Sequence, residues 1–239
     1  MSDSKHLFIG ILLGAVILLT ALYVVPSIGF ISNITEDSPI GSGDITQLTL
    51  LIVSLILAYY LSCGKLYSYG FKLTAIKNLI RPILISILSV VLFFITMNIL
   101  MATIGLQPDE LGGSGMDKSI PNFLITIALF ASICEEIFYR GLIYSFLEPL
   151  KKYSFRFFKS YISLPVTICG LMFGLGHLCL LGKMHYVVVI GIIISATLLG
   201  FIAGYYREKT GSILPAIAAH ITFNLVAFGI PTIMMSAMG

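Results

Sequence analysis

Apolar runs separated by short polar segments make up almost the whole chain. Several of the runs reach the roughly 20 residues that a helix needs to cross the hydrocarbon core of a bilayer. The pattern therefore predicts an all-α, polytopic transmembrane helix bundle with about seven to eight spans. The predicted spans cover residues 7–31, 45–61, 83–104, 121–147, 163–181, 186–206 and 213–235.

The segments between the runs differ in charge. Those after the second, fourth and sixth runs are rich in Lys and Arg, whereas those after the first and third carry mainly Asp and Glu. Because cytoplasmic loops carry the excess of positive charge, we predict a cytoplasmic N-terminus. With seven spans the C-terminus would lie outside, and an extra or broken helix would reverse this. The basic, aromatic segment 148–162 has the composition of a helix lying flat at the membrane surface.

Composition supports a multi-pass protein of the cell membrane. Hydrophobic residues make up 58% and charged residues 10%, whereas soluble domains carry about 25% charged residues. The sequence has no basic array with interleaved aromatic residues, so we expect no nucleic-acid partner. The four cysteines form no C-x-x-C pair, and we interpret them as small buried hydrophobes.

Three ionisable residues lie within six positions of the fourth run: Glu135, Glu136 and Arg140. A charged side chain at the centre of a bilayer costs about 2.5–3.5 kcal/mol on insertion scales and usually marks a functional site. In a helix, Glu136 and Arg140 share one face at the i, i+4 spacing that favours an ion pair, whereas Glu135 points about 100° away. We predict that Glu136 and Arg140 hold local structure while Glu135 accepts a proton from water. A structural ion-pair cluster of all three is the alternative.

Two further pairs of residues occur in later runs. Phe173 and His177, and likewise His220 and Asn224, are spaced i, i+4 and so share a helix face. Asn224 could fix the tautomer of His220 or donate to a developing oxyanion, or it could hold two helices together. His177 taken alone could serve to hydrogen-bond a backbone carbonyl. With Glu135, these residues form a set that can activate a water and stabilise an oxyanion.

The three motifs resemble those of the CPBP intramembrane proteases, which include type II CAAX prenyl endopeptidases and Abi-type bacteriocin-processing and immunity proteins. The motif E-E-x-x-x-R matches residues 135–140, F-x-x-x-H matches 173–177, and H-x-x-x-N matches 220–224. The resemblance covers residues 123–225, and the segment 210–217 also looks like the family.

The resemblance implies a glutamic-type intramembrane endopeptidase. By this resemblance, Glu135 would be the general base and would activate water with His177. His220 and Asn224 would form the oxyanion site. Glu136, Arg140 and Phe173 would be structural or orienting residues. The substrate would be presented by the lipid bilayer and cut near the cytoplasmic leaflet, as a prenylated CAAX protein or as a leader or bacteriocin peptide. We expect one membrane domain, 1–239, with spans that lack motifs in 1–120 and the catalytic helices in 121–239.

The sequence leaves three alternatives open. A zinc-dependent variant of the protease would use Glu135, His177 and His220 as ligands, but the chain has no H-E-x-x-H motif, and we expect no cofactor. A non-catalytic immunity protein would bind a peptide at the same site without hydrolysing it. A proton-coupled transporter would use the intramembrane Glu and His side chains as a relay, but the sequence shows no internal repeat.

Overall fold

Helices fill the apolar runs wherever the structure describes them. The computed structural model describes residues 2–32, 41–106, 122, 124–157 and 160–229. Its main helices are α1 (Asp3–Ser27), α2 (Ser42–Leu61), α3 (Lys77–Ile104), α4 (124–147), α5 (Leu164–Leu180), α6 (Tyr186–Thr210) and α7 (Leu214–Ala227). Short 3₁₀ turns at Leu66–Tyr69 and Glu148–Lys152 follow α2 and α4. The predicted helical architecture is confirmed in its main part, and one short β-hairpin departs from the all-α prediction.

Four of the described helices, α1, α2, α3 and α6, are long and apolar enough to cross a membrane. The apolar helices α5 and α7 are shorter. The interior helix is α4, in which residues 137–144 are all buried. The number of spans and the side of the N-terminus stay predictions.

Local sequence explains where α5 begins and α6 ends. Ser163 Oγ accepts a hydrogen bond from the backbone N–H of Val166, and Pro165 occupies the first turn of α5. Both features favour a helix start, because a capping oxygen satisfies a free N–H and proline has none to satisfy. Gly211 has a φ of 67° and ends α6. Glycine adopts this left-handed conformation without a steric cost.

The central helix α4 is irregular. Hydrogen bonds of the π type run over Leu124–Ala131 and Ile137–Ile143, on either side of an α-helical turn at Ser132–Glu136. Such π turns are rare and are often found at functional sites. Glu135 and Glu136 therefore stand on a short α turn between two wider stretches of helix.

The prediction of an interfacial helix over 148–162 is wrong. After the 3₁₀ turn, strands β1 (Ser154–Phe157) and β2 (Ser160–Ser163) pair antiparallel, with Ser154 opposite Ser163. Polar and apolar residues alternate along β1, and an alternation with period two favours a strand over a helix. Basic and aromatic composition is common to both structures, so the period of the pattern decides between them.

Glycines bring α5 and α6 into close contact. A Cβ atom built on Gly174 would overlap Thr197 Oγ1 and would lie 2.8 Å from the carbonyl oxygen of Ile193. A Cβ on Gly200 would lie 2.7 Å from the Cα of Gly170. Small residues at such positions let membrane helices approach closely. This approach places the backbone of α6 beside the polar residues of α4.

Gly174→Ala is expected to destabilise the protein by about 1–3 kcal/mol, the usual cost of overpacking a tight contact. The new methyl group would meet the Ile193 carbonyl, which belongs to the backbone and cannot rotate away, so α5 and α6 must separate. The measurement is SDS-induced unfolding in mixed micelles. Gly43→Ala is the matched control, because Gly43 is helical and nothing lies within 4 Å of its added Cβ. Unchanged stability of the Gly174 variant would contradict the tight packing.

Candidate active site

The ion pair expected from the i, i+4 spacing is present in α4. Arg140 Nη1 donates to Glu136 Oε1 at 2.9 Å, and both side chains are fully buried. Arg140 Nη2 donates to the carbonyl oxygen of Gly200 in α6 at 2.9 Å. The guanidinium carbon also lies 5.0 Å from the centre of the Phe173 ring in α5. The pair therefore joins α4 to both α5 and α6.

His220, supplied by α7, lies between the two glutamates. Its Nδ1 is 2.9 Å from Glu136 Oε1, and its Nε2 is 3.8 Å from Glu135 Oε2. An ionised carboxylate only accepts hydrogen bonds, so Nδ1 carries a proton, and in the neutral ring Nε2 then presents a lone pair to Glu135. This arrangement allows a proton to pass between Glu135 and His220.

Glu135 points away from the ion pair. Gln47 Nε2, in α2, donates to Glu135 Oε1 at 2.6 Å. The Glu135 side chain is 19% exposed, whereas that of Glu136 is fully buried. The two adjacent glutamates therefore occupy different environments, one inside an ion pair and the other held by a neutral amide in a partly open position.

A cavity of about 530 Å³ lies against Glu135. Helices α1, α2, α4 and α5 form its walls, and Gln47, Tyr139, Phe173 and His177 line it together with Glu135. The volume lies within the range of about 300–1,000 Å³ that is usual for ligand sites. The cavity is large enough to hold a water and a short stretch of peptide beside the Glu135 carboxylate.

His177 lies at the point where α5 tightens into the 3₁₀ turn His177–Leu180. Its Nδ1 is 3.0 Å from the carbonyl oxygen of Phe173. The carbonyl can only accept, so Nδ1 bears the hydrogen and Nε2 is the acceptor of the neutral ring. The carbonyl contact considered as an alternative role is thus present. It also selects the tautomer that leaves Nε2 able to accept a hydrogen bond from water.

Asn224 lies one turn after His220 on α7 but contacts a different part of α4. Its Nδ2 donates to Ser132 Oγ at 3.0 Å and to the carbonyl oxygen of Ile127 at 3.3 Å. Among the described residues, those that line the cavity include neither His220 nor Asn224. The structure therefore brings Glu135 and His177 to one cavity wall, places His220 behind both glutamates, and sets Asn224 against α4.

Reasoning from the sequence missed Gln47 and Ser132. Gln47 is an amide within the second apolar run, and Ser132 lies three residues before Glu135. A polar side chain inside a span could have been taken as a signal, because such residues usually face a protein interior or a wet cavity. The packing of α2 against α4, which the sequence does not show, brings Gln47 to Glu135.

The residues considered as zinc ligands have other partners. His220 Nδ1 faces Glu136, and His177 Nδ1 faces the Phe173 carbonyl. Across the part of the chain that the structure describes, no group of three or more His, Cys, Asp or Glu side chains is arranged to hold a metal ion. Glu135, His177 and His220 do not fit a zinc site as they are placed here, and chemistry without a metal stays a prediction.

Comparison with known proteins agrees with the motifs. Residues 118–226 match the family model described as type II CAAX prenyl endopeptidase Rce1-like. The matched range contains α4 to α6 and all but the last residue of α7, and with them the glutamates, His177, His220 and Asn224. No curated protein and no solved structure is significantly similar to the chain. The family points to a protease that acts on membrane-associated protein substrates. The resemblance predicted from the motifs is therefore confirmed over residues 118–226, where the chain matches the model of the Rce1-like type II CAAX prenyl endopeptidases.

Proposed function

We propose that this chain is a multi-pass intramembrane endopeptidase of the cell membrane, in which Glu135 activates a water that attacks a peptide bond. The observation that carries the proposal is the contrast between the two adjacent glutamates. Glu136 is fully buried in an ion pair, whereas Glu135 lines a cavity together with His177. A general base needs a proton acceptor within reach of the nucleophile, and Glu135 is the member of the pair that a cavity water can reach.

In the proposed attack, Glu135 is the first proton acceptor. The water oxygen bonds to the carbonyl carbon of the substrate while a water proton moves to Glu135. His177 Nε2 accepts a hydrogen bond from the same water and orients it. Gln47 holds the other carboxylate oxygen in place through its 2.6 Å hydrogen bond. A positioned base of this kind contributes roughly 10²–10⁴-fold to rate.

His220 links the attack of water to the breakdown of the tetrahedral intermediate that the attack forms. Passing the proton from Glu135 to His220 Nε2, 3.8 Å away, forms an imidazolium behind Glu135, whose positive charge stabilises the developing oxyanion across the carboxyl group. Glu136, 2.9 Å from Nδ1, stabilises that positive charge, in the way that a buried carboxylate supports a catalytic histidine. The proton then returns through Glu135, which lines the cavity, to the leaving amine as the C–N bond breaks. Asn224 shares the oxyanion role once its amide turns from Ser132 towards the cavity.

The substrate in this proposal is a peptide bond presented by the bilayer, in a prenylated CAAX-type protein or in a leader or bacteriocin-type peptide. The proposal places seven spans in the membrane, with the N-terminus in the cytoplasm. The partners of the proposed enzyme are the bilayer and one peptide or lipid-anchored substrate. The proposed enzyme needs no metal.

Cleavage of a farnesylated CAAX peptide by the purified protein in lipid tests the proposal, with Glu135→Ala beside the wild type. We expect a shortened product by mass spectrometry from the wild type and none from the variant, with or without a chelator. Equal cleavage by both proteins would contradict the role of Glu135. Tight peptide binding with no cleavage of prenylated or leader peptides would instead support the non-catalytic immunity protein.

Gln47→Leu is expected to lower kcat by about 10–100-fold, because a hydrogen bond to a charged group contributes roughly 1.5–3 kcal/mol. The variant removes the donor to Glu135 Oε1 but keeps the bulk of the side chain. KM should change little, since the contact positions the base and does not hold the substrate. Steady-state kinetics measures this split. Thr49→Val, which removes a hydroxyl bonded within α2, is the control, and an equal loss of kcat there would contradict a specific role for Gln47.

A further inference from the structure

The cavity extends from Glu135 to one end of the helix bundle. Its outer lining comes from the end of α1, the start of α2 and the turn after α5, where Tyr23, Ser42 and Lys183 are exposed. Thr46 Oγ1 donates to the Ala21 carbonyl at 3.1 Å and so ties α1 to α2 at this level. We name this the cavity end of the bundle.

The opposite end is assembled from the start of α1 and the β-hairpin. Asp3 Oδ2 lies 2.6 Å from Lys152 Nζ and accepts a hydrogen bond from the Tyr153 hydroxyl at 2.7 Å. His6 Nε2 is 2.6 Å from the carbonyl oxygen of Phe146 at the end of α4. The N-terminus of α1 and the end of α4 therefore meet at the end farthest from Tyr23 and Ser42.

The segment after α2 and the turn after α6 join the same end. Ser212 Oγ donates to the Lys72 carbonyl at 2.6 Å, and Ile213 N donates to the Gly70 carbonyl at 3.0 Å. Glu208, in the last turn of α6, accepts one hydrogen bond from the hydroxyl of Ser163 at the end of the hairpin. These contacts complete what we name the basic end of the bundle.

Charge divides sharply between the two ends. Of the 14 Lys and Arg residues, all but Arg140, Lys118 and Lys183 lie at the basic end or in the segments that join its elements. The sequences that join α1 to α2 and α3 to α4 contain one cation, Lys118, and the following acidic residues: Glu36, Asp37, Asp109, Glu110 and Asp117. By the positive-inside rule, the basic end is cytoplasmic and the cavity end faces the other side of the membrane.

We infer that the active-site cavity takes its substrate from the extracytoplasmic side, as a peptide segment anchored in or delivered to the outer leaflet. The inference rests on the proposed function for its chemistry, but the orientation of the cavity does not depend on catalysis. Entry from the extracytoplasmic side replaces the expectation, drawn from the sequence, that cleavage takes place near the cytoplasmic leaflet. A CAAX tail that stays on the cytoplasmic side would meet the basic end, which is separated from Glu135 by the closed half of the bundle. Translocated leader peptides and outer-leaflet lipopeptides are the substrates that reach this site.

Native and introduced cysteines can measure the orientation directly in the full chain. Cys63 is exposed at the basic end, Cys134 and Cys169 are buried, and Cys179 lines the cavity. One variant, Cys179→Ser, keeps Cys63 as the reporter of the basic end. The other, Cys63→Ser with Cys179→Ser and Lys183→Cys, reports the cavity end. A membrane-impermeant maleimide is added to spheroplasts of a bacterial expression host, before and after permeabilisation.

We expect the Lys183→Cys variant to be labelled equally before and after permeabilisation, and Cys63 to be labelled only afterwards. Labelling of Cys63 in intact spheroplasts, with protection of Lys183→Cys, would overturn the inference. Labelling of both or of neither in intact spheroplasts would also contradict it. Each variant must elute as a monodisperse protein, so that unfolding cannot imitate exposure.

A second measurement links orientation to substrate access. The farnesylated CAAX peptide is added to the outer medium of membrane vesicles that are sealed either right side out or inside out. We expect cleavage in right-side-out vesicles alone. Cleavage in inside-out vesicles alone would overturn the inference. Absence of cleavage in both, and in detergent, would count against the proposed function with this probe, while the maleimide pattern would still decide the orientation.

Discussion

Glu135→Gln is expected to slow peptide hydrolysis by about 10²–10⁴-fold, the usual contribution of a general base. The amide has nearly the same size and shape as the carboxylate, so the cavity is preserved. Its carbonyl oxygen can still accept the Gln47 hydrogen bond that Glu135 Oε1 accepts. What the variant loses is the ability to take a proton from water. Single-turnover cleavage in lipid measures the chemical step without product release.

The control for this prediction is Glu148→Gln, which makes the same chemical change at an exposed carboxylate after the end of α4. That variant should cleave at the wild-type rate. Both variants should unfold at the wild-type SDS concentration, because Glu135 carries no part of the buried ion pair. A Glu135→Gln protein that is stable and fully active would show that another group activates the water.

Arg140→Met is expected to destabilise the protein by about 3–5 kcal/mol, because it leaves Glu136 as a buried charge without its cation. Methionine fills much of the same volume as arginine, so most of the lost stability comes from the missing charge and the missing hydrogen bonds. The variant also removes the donor to the Gly200 carbonyl, which joins α4 to α6. SDS-induced unfolding in mixed micelles reports the change in free energy of unfolding.

Two further variants isolate the cause of this loss. Arg81→Met removes an exposed cation near the start of α3, and surface changes of this kind stay within about 0.5 kcal/mol. The double variant Arg140→Met with Glu136→Gln should be more stable than Arg140→Met alone, because the uncompensated charge is gone. If adding Glu136→Gln lowers stability further, the cost arises from packing and not from the unpaired carboxylate.

The close packing of α5 on α6 links these results to function. Gly170 and Gly174 let the two helices approach, and this approach puts the Gly200 carbonyl within reach of Arg140. Arg140 then holds Glu136, and Glu136 holds His220. Substitutions at these glycines should therefore reduce activity as well as stability, although neither glycine lines the cavity.

Short-range features of this protein were determined by the sequence itself. Apolar runs of sufficient length predicted helices, and the i, i+4 spacing predicted the pair of Glu136 and Arg140, because neighbours on one helix turn are set by local geometry. The three motifs indicated a family resemblance, and the family model matches residues 118–226, which contain them. The hairpin over 154–163 was not predicted. Polar and apolar residues alternate along its first strand, but its basic and aromatic composition also suits an interfacial helix.

Contacts between distant segments were decided by the tertiary structure alone. Gln47 and Glu135 are 88 positions apart, and Glu136 and His220 are 84 apart, so no local rule relates them. The spacing that put His220 and Asn224 on one helix face could not show that one would reach the glutamates and the other Ser132. The end of the bundle at which the cavity opens also depends on how the helices pack. Sequence periodicity assigns a side chain to a face of its own helix, and packing determines what that face meets.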